Sequence, residues 1–443
     1  LYLAGNGTMD LQRLRLVRLS EADLIAEIKA KYPAAGQGNL VRLSRFPLGL
    51  PSGWSVDRDY SDGDHVRVDG DAAVTGPGGC PTLRIEAPQG ILLYSAPFAV
   101  PWSFAPHVAS LSVRGDWEGR LLVAGGKGEL CATQPLQSHG TEWRRVELAF
   151  KPVLAAPGHH LRIEGKGTLW LDCLQVEHGS QASSYAAPQA VEVALALDRS
   201  AASAARVVFA DEPLRVAYAV VGRCPGALLK ARLVTLYGDT APLRPVTLGP
   251  AELHGGTLVG EPFARHPFGA YRLEAWVEDA AGKALSAEQE VVFLRLQRPR
   301  YWGKDAPDSF FGTHTLSTHR HLTMAKAVGC NWVRLHDAGT AYIGWAFLEP
   351  EKGKWQFRDT DLQRYREHHL KILGLLSTSP GWASNLGKPC QGYFDRYLEP
   401  LSMDDWANAV RTIVTRYRGM IDTYEIWNEP WGSTFWSWTF DQK

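Results

Sequence analysis

Glu429 is the side chain with the most chemistry to offer. It lies in the run Tyr424-Glu425-Ile426-Trp427-Asn428-Glu429-Pro430, a short strand-like stretch that ends on an amide, a carboxyl and a proline. A carboxyl placed where a strand gives out can lend a proton and take it back, provided an enclosed, apolar surround keeps it protonated near neutral pH. Asn428 beside it can hydrogen-bond a hydroxyl. Arg334 and His336, in Trp332-Val333-Arg334-Leu335-His336, share strand parity and should point to one face. Arg334 can align a reacting carboxylate, but a core arginine pairing Glu425 would look the same. His314 and His336 suit hydroxyl binding or, equally, hydrogen-bonded positions in a core. Ten of the 16 tryptophans fall at or after Trp302, and Trp427, Trp431, Trp436 and Trp438 crowd this one loop, with Trp382 further upstream. Indole faces stack on the C–H faces of sugar rings, so the crowding suits a saccharide cleft, while core packing accounts for part of it.

These residues need a scaffold that brings strand ends together. From Tyr301 onward strands alternate with helices, the mark of a parallel sheet. The pattern predicts strands at 310–314, 332–336, 372–377 and 424–428. Helices are expected at 319–328, with Leu322, Ala325 and Val328 inward and Gly329 as terminator, and at 361–369. A third starts at the capping box Ser402-Met403-Asp404-Asp405 and turns Trp406, Val410, Ile413, Val414 and Tyr417 to one side. A doubly wound sheet would want a glycine-rich phosphate turn after its first strand, and Thr313-His314-Thr315 is none. Four strand–helix units make half of a (β/α)8 TIM barrel, which needs about 250 residues. In such barrels chemistry sits at the C-terminal strand ends, where His314, Arg334, His336, Asp337, Ser377, Asn428 and Glu429 all fall.

The ending Asn428-Glu429-Pro430 on a fourth strand resembles that of glycoside hydrolase clan A, whose members are retaining (β/α)8 glycosidases. Arg334, the stretch Phe347-Leu-Glu-Pro-Glu-Lys-Gly-Lys-Trp355 before Asp361, and Phe435-Trp436 make family 39 the best match, with families 5 and 10 as neighbours. The resemblance spans about 310–440. It implies an O-glycoside hydrolase acting on a β-linked oligo- or polysaccharide. Glu429 would be the acid/base, and Asn428 a donor to the sugar 2-hydroxyl and the nucleophile. Arg334 would keep that nucleophile ionised, and His336 would bind a hydroxyl. His314, Trp382, Trp427, Trp431 and Trp436 would bind substrate. Retention takes two carboxyls roughly 5–5.5 Å apart; the nucleophile belongs on a seventh strand beyond residue 443, so this stretch alone is expected to be inactive and its half barrel poorly stable.

The first two thirds read as all-β. Gly5-Asn6-Gly7-Thr8 through Leu16 overlays Gly165-Lys166-Gly167-Thr168 through Val176 at a constant offset, each copy a Gly-rich turn and a strand whose period slips by one, which suggests a bulge. Residues 1–37 are thus expected to be the remnant of a first sandwich plus a linker, including a short helix at 21–30. Residues 38–188 carry short alternating stretches (82–85, 91–94, 109–113, 120–123, 145–150, 160–163) about ten residues apart, the pattern of a β-sandwich. Asn39-Leu40, Phe46, Gly49, Pro51 and Gly53-Trp54, with the closing segment 167–185, resemble the jelly-roll carbohydrate-binding modules attached to many glycosidases. Which of Trp54, Trp102, Trp117, Trp143 or Trp170 would face a glycan stays open. Residues 189–299, with strands expected near 191–197, 214–220, 229–236, 271–277 and 290–296, read as an immunoglobulin-like spacer, and 300–443 as the half barrel.

Bulk properties narrow the partners. Lys+Arg and Asp+Glu each number 47 in 443 residues, which removes the electrostatic argument for nucleic acid or an anionic membrane. No apolar run reaches the roughly 18 residues of a membrane span. Cys80, Cys131, Cys173, Cys224, Cys330 and Cys390 are scattered without metal spacing, so no metal and no cofactor are expected. A Cys131–Cys173 bridge stays open. The resemblance and the modular, polymer-binding architecture imply an extracellular or cell-surface setting. Two other readings stand beside the hydrolase: a non-catalytic carbohydrate-binding or scaffold protein whose barrel has lost activity, and a barrel enzyme of other chemistry, such as a lyase or transglycosylase.

Overall fold

The computed structural model describes residues 38–429 except 42, 51–52, 57–66, 101–104, 127, 153–155, 198–201, 203–204, 338–339 and 393. The copy at Gly5–Leu16, the helix at 21–30, Trp102, Trp431, Trp436 and Trp438 lie outside the described residues.

Eight strands form the first unit: β1 (Ser55–Val56), β2 (Arg67–Thr75), β3 (Pro81–Tyr94), β4 (Phe98–Val100), β5 (His107–Ala124), β6 (Leu130–Ser138), β7 (Arg144–Phe150) and β8 (Ala156–His178). The expected short stretches are fused: 82–85 and 91–94 are two halves of β3, 109–113 and 120–123 two halves of β5. A straight strand of 23 residues such as β8 would run about 75 Å. Both halves of these strands instead feed one buried cluster, with Leu83, Ile85 and Leu93 of β3, Leu111, Val113 and Leu121 of β5, and Ile163, Leu169 and Leu171 of β8. The sheet therefore folds over on itself. Its corner is glycine: a Cβ on Gly119 would sit 1.9 Å from the Glu164 carbonyl oxygen, and one on Gly167 2.1 Å from that of Asp116. The Gly165–Gly167 stretch, expected to be a turn before a strand, is this corner inside a continuous strand. The expected bulge is present: Ser110 pairs Gln175 and Ser112 pairs Asp172, so β8 carries one extra residue, and Cys173 takes φ +52° there.

The second unit packs a six-stranded sheet on a three-stranded one. The first holds β10 (Val207–Phe209), β12 (Leu228–Thr235), β13 (Thr240–Pro242), β14 (Val246–Thr247), β16 (Gly269–Glu278) and β17 (Gln289–Leu296); the second holds β9 (Glu192–Leu197), β11 (Leu214–Val221) and β15 (Leu253–Gly260). Val193, Val216 and Leu258 meet Leu229, Leu273 and Phe293 in one core. All five expected strands form. The unexpected β15 is an edge strand with Gly255 and Gly256 against Tyr218, which erases the alternation that marks a strand. A buried ion pair between Arg45 and Glu192, 3.1 Å apart, ties this unit to the first.

The third unit is a parallel sheet of β18 (Gly312–Thr313), β19 (Trp332–Arg334), β20 (Lys371–Leu376) and β21 (Thr423–Ile426), in sequential order. Helices α1 (His319–Ala327), α3 (Asp359–Glu367) and α4 (Met403–Arg416) connect the strands, with a single turn, α2 (Trp345–Leu348), before α3. Leu322, Val333, Ile372, Ile413 and Tyr417 form the core. The Ser402 hydroxyl accepts from the Asp405 amide at 3.1 Å, as the capping box requires, and Gly329 leaves α1 at φ +93°. Val328, expected to face inward, is 53% exposed, because α1 has already ended at Ala327. Ile426, on the edge strand of the described sheet, is 73% exposed.

All six cysteines are unpaired thiols, so Cys131 and Cys173 are not bridged. Among the described residues no helix is long and apolar enough to cross a membrane.

His107 supplies a pH handle on the first unit. Its ring is fully buried, stacks on Phe150 at 5.4 Å and donates from Nδ1 to the Ala105 carbonyl at 2.9 Å. Burial pulls its pKa from 6.5 down to about 4. The unfolded chain then binds the proton more readily, so stability should be full above pH 6.5 and decline toward pH 4, by at most on the order of 3 kcal/mol. Melting the protein across this range, wild type against His107→Gln, should show a flatter profile for the variant; identical slopes would reject the assignment.

Candidate active site

Each expected strand end lies just past the last paired residue of its strand: His314 after β18, His336 and Asp337 after β19, Ser377 after β20, Asn428 and Glu429 after β21. These strands are parallel neighbours, so their C-terminal ends share one edge of the sheet. The backbone there is unusual. Asp337 (φ +54°), Thr378 (+66°), Trp427 (+67°) and Glu429 (+46°) all occupy the left-handed region without being glycine. Such conformations cost on the order of 1 kcal/mol each and gather where a fold aims side chains for a purpose.

Arg334 organises the edge. Its Nε donates to Glu425 Oε1 at 2.5 Å and its Nη2 to Asn428 Oδ1 at 3.0 Å. The pairing with Glu425 is the structural alternative left open by the sequence, and it coexists with the contact to Asn428. Because guanidinium only donates, the Asn428 oxygen must face Arg334. The Asn428 amide nitrogen is thereby turned away as a donor, although Asn428 as a whole is only 6% exposed.

His336 is 3% exposed and sits 3.0 Å from Asp337 Oδ2 through Nδ1. Burial lowers its pKa, outweighing the upward pull of Asp337. Its ring meets His314 edge-on at 5.9 Å. His314, His336 and Asp337 offer ligand atoms within 4.8 Å of one another, a spacing a divalent ion could span. The sequence had offered no metal spacing here, because these ligands come from two strand ends.

The structure places three of the expected residues as follows. Glu429 is exposed, so the described residues do not build the enclosing apolar surround expected of it. Trp427, expected to bind substrate, is 4% exposed and packs edge-on against Tyr397 and Trp406, because its left-handed backbone turns the indole under the edge. Trp382 is half-buried, donates from Nε1 to the Glu349 carbonyl at 3.0 Å and carries the Lys352 ammonium over its ring at 5.1 Å, so a cation already occupies one indole face. In the first unit Trp54 and Trp117 are core residues, while Trp143 and Trp170 are half-buried.

No protein-family model matches the chain, and no curated protein matches it. Among solved structures it is similar to the CBM22-1–GH10 modules of Clostridium thermocellum endo-1,4-beta-D-xylanase 10B complexed with xylohexaose. That match has 16% identity and a TM-score of 0.25, and covers 34% of this chain and 30% of that one. TmCBM61 in complex with beta-1,4-galactotriose matches at 15% identity and TM-score 0.27, over 32% of this chain and 99% of that one. The CBM22-1-CBM22-2 tandem domain of Paenibacillus barcinonensis Xyn10C matches at 12% and 0.25, over 60% and 91%. Likenesses this distant carry no weight for the chemistry.

If Trp427 is packing rather than platform, Trp427→Ala should cost about 3–5 kcal/mol, as for other buried aromatics. Denaturant unfolding followed by circular dichroism measures it. A change below about 0.5 kcal/mol, typical of exposed positions, would return Trp427 to the ligand face.

Proposed function

We propose that the edge built by β18–β21 is the catalytic mouth of a retaining O-glycoside hydrolase for a β-linked saccharide, with Glu429 as acid/base. The observation that carries this reading is the fixed Asn428 amide. Arg334 holds its oxygen, so its nitrogen is committed to donate, one residue before a carboxyl that the left-handed backbone sets at the strand end. That arrangement fits the clan A resemblance of Asn428-Glu429-Pro430. The sequential strand order supports a (β/α)8 half barrel over a doubly wound sheet, whose strand order reverses near its middle. On this reading 38–188 is a jelly-roll glycan-binding module, 189–299 an immunoglobulin-like spacer and 300–443 the half barrel, in an extracellular or cell-surface protein.

The chemistry assigned to Glu429 is protonation of the departing glycosidic oxygen, then removal of a proton from the water that completes hydrolysis. Asn428 would donate to the 2-hydroxyl, where bonds strengthen as the ring flattens toward its oxocarbenium-like transition state. Arg334 acts here as a positioning residue that sets Asn428. His336, 3.0 Å from Asp337, would address a ring hydroxyl beside His314.

The exposed Glu429 and the Arg334–Glu425 pair favour a second reading, a carbohydrate-binding or scaffold barrel without turnover. Aryl β-glycosides with poor leaving groups separate the two in the natural gene product. Glu429→Gln should lower turnover of these substrates by about 10²–10⁴-fold; with a good leaving group, which departs without protonation, added azide should speed the variant's turnover by attacking the glycosyl-enzyme to give a glycosyl azide. Turnover unchanged by the substitution would refute the assignment, and no turnover in the wild type would favour the binding reading.

A further inference from the structure

A row of alternating guanidinium and indole crosses the outer face of the first unit. Arg84 on β3 and Arg114 on β5 both pair with Trp170 on β8, which lies between them, and Trp143 just precedes β7 on the far side of Arg114. The Cζ of Arg84 and that of Arg114 each lie 5.3 Å from the Trp170 ring, and Arg114 lies 5.8 Å from Trp143. The Trp170 Nε1 donates to Asp71 Oδ2 at 2.9 Å, which anchors the ring by its edge. With cations on the Trp170 ring, this is a poor platform for stacking a sugar. It is a good way to hold a guanidinium, whose plane is fixed by aromatic faces while its N–H edge stays directed outward.

The two arginines that flank Trp170 differ. Arg84 is committed to Glu86 and stands 4.0 Å from Asp71. Arg114 makes no ion pair among the described residues, and its Nε is buried without a hydrogen-bond partner among them. Arg145 on β7, paired with Ser112 two residues from Arg114, also makes no ion pair among the described residues; it donates to Ser110 Oγ and the Ser183 carbonyl. The face thus presents two guanidinium groups uncompensated by carboxylates, one of them pre-oriented between indoles. Stacking on carbon-rich faces and forking to a planar anion is the recognition chemistry of arginine.

We infer that this row is a binding site for the carboxylate of an acidic saccharide, a polysaccharide bearing uronate groups, with Arg114 as its principal contact and Arg145 as its neighbour. The inference rests on the reading that the first unit binds glycan and names the class of glycan. Affinity electrophoresis of the 443-residue chain through polygalacturonate, its fully methyl-esterified form and dextran sulfate tests it. Polygalacturonate should retard the protein, salt should weaken the retardation, and methyl esterification of the same backbone should abolish it. Arg114→Gln should weaken binding by roughly tenfold or more with an unchanged melting temperature, and Arg114→Lys, which keeps the charge but not the fork, should not restore it. Equal retention by the esterified polymer, or no effect of Arg114→Gln, overturns the inference while leaving glycan binding intact. Tighter binding to dextran sulfate overturns the carboxylate assignment. Retention by none of these polymers, nor by neutral xylan or galactan, removes the glycan-binding reading itself.

Discussion

Arg334 has to reach across a whole strand. It sits on β19, and its partners Glu425 and Asn428 belong to β21 or the residues just after it, with β20 between. Two strand spacings are about 10 Å, so the Arg334 and Glu425 side chains must extend toward each other to meet. The bridge therefore holds only if the sheet keeps its sequential parallel order and its register. In return it gives the open face of that sheet one organised polar feature, a cation shared between a carboxylate and an amide. Every role considered for this edge, catalytic or merely binding, begins from the Asn428 orientation that this contact imposes.

The left-handed residues around the same edge follow from what lies beneath it. Trp427 is turned down to fill space between Tyr397 and Trp406, and the chain can then present Asn428 and Glu429 only by leaving the strand conformation. Thr378 does similar work after β20: its hydroxyl accepts from the Ala346 amide at 3.2 Å, and a Cβ on Gly344 would sit 2.6 Å from it. Packing under the strand ends and the aim of the polar groups above them are one constraint seen from two sides.

The first unit obeys a different rule. Its two longest strands, β5 and β8, share a glycine corner, where backbones pass too closely for any side chain, so one sheet can wrap a single core. Wrapping leaves the outer faces to polar and half-buried residues. There the register places Arg84, Trp170 and Arg114 side by side, although 86 positions in the chain separate Arg84 from Trp170.

Features set by neighbours along the chain were legible in the sequence: the alternation of strand and helix after Tyr301, the Ser402 cap, the Gly329 stop, the bulge at Cys173, and the strand ends that carry Arg334, His336, Asn428 and Glu429. Each depends on local periodicity or on a backbone conformation that one residue type favours. Tertiary structure alone decided which indoles are buried, how Arg334 divides itself between Glu425 and Asn428, why Gly165–Gly167 bends a strand instead of ending it, and which arginines lack a carboxylate. Those outcomes turn on cross-strand register and close approach. Periodicity says which face a residue occupies; it does not say which distant residue stands beside it.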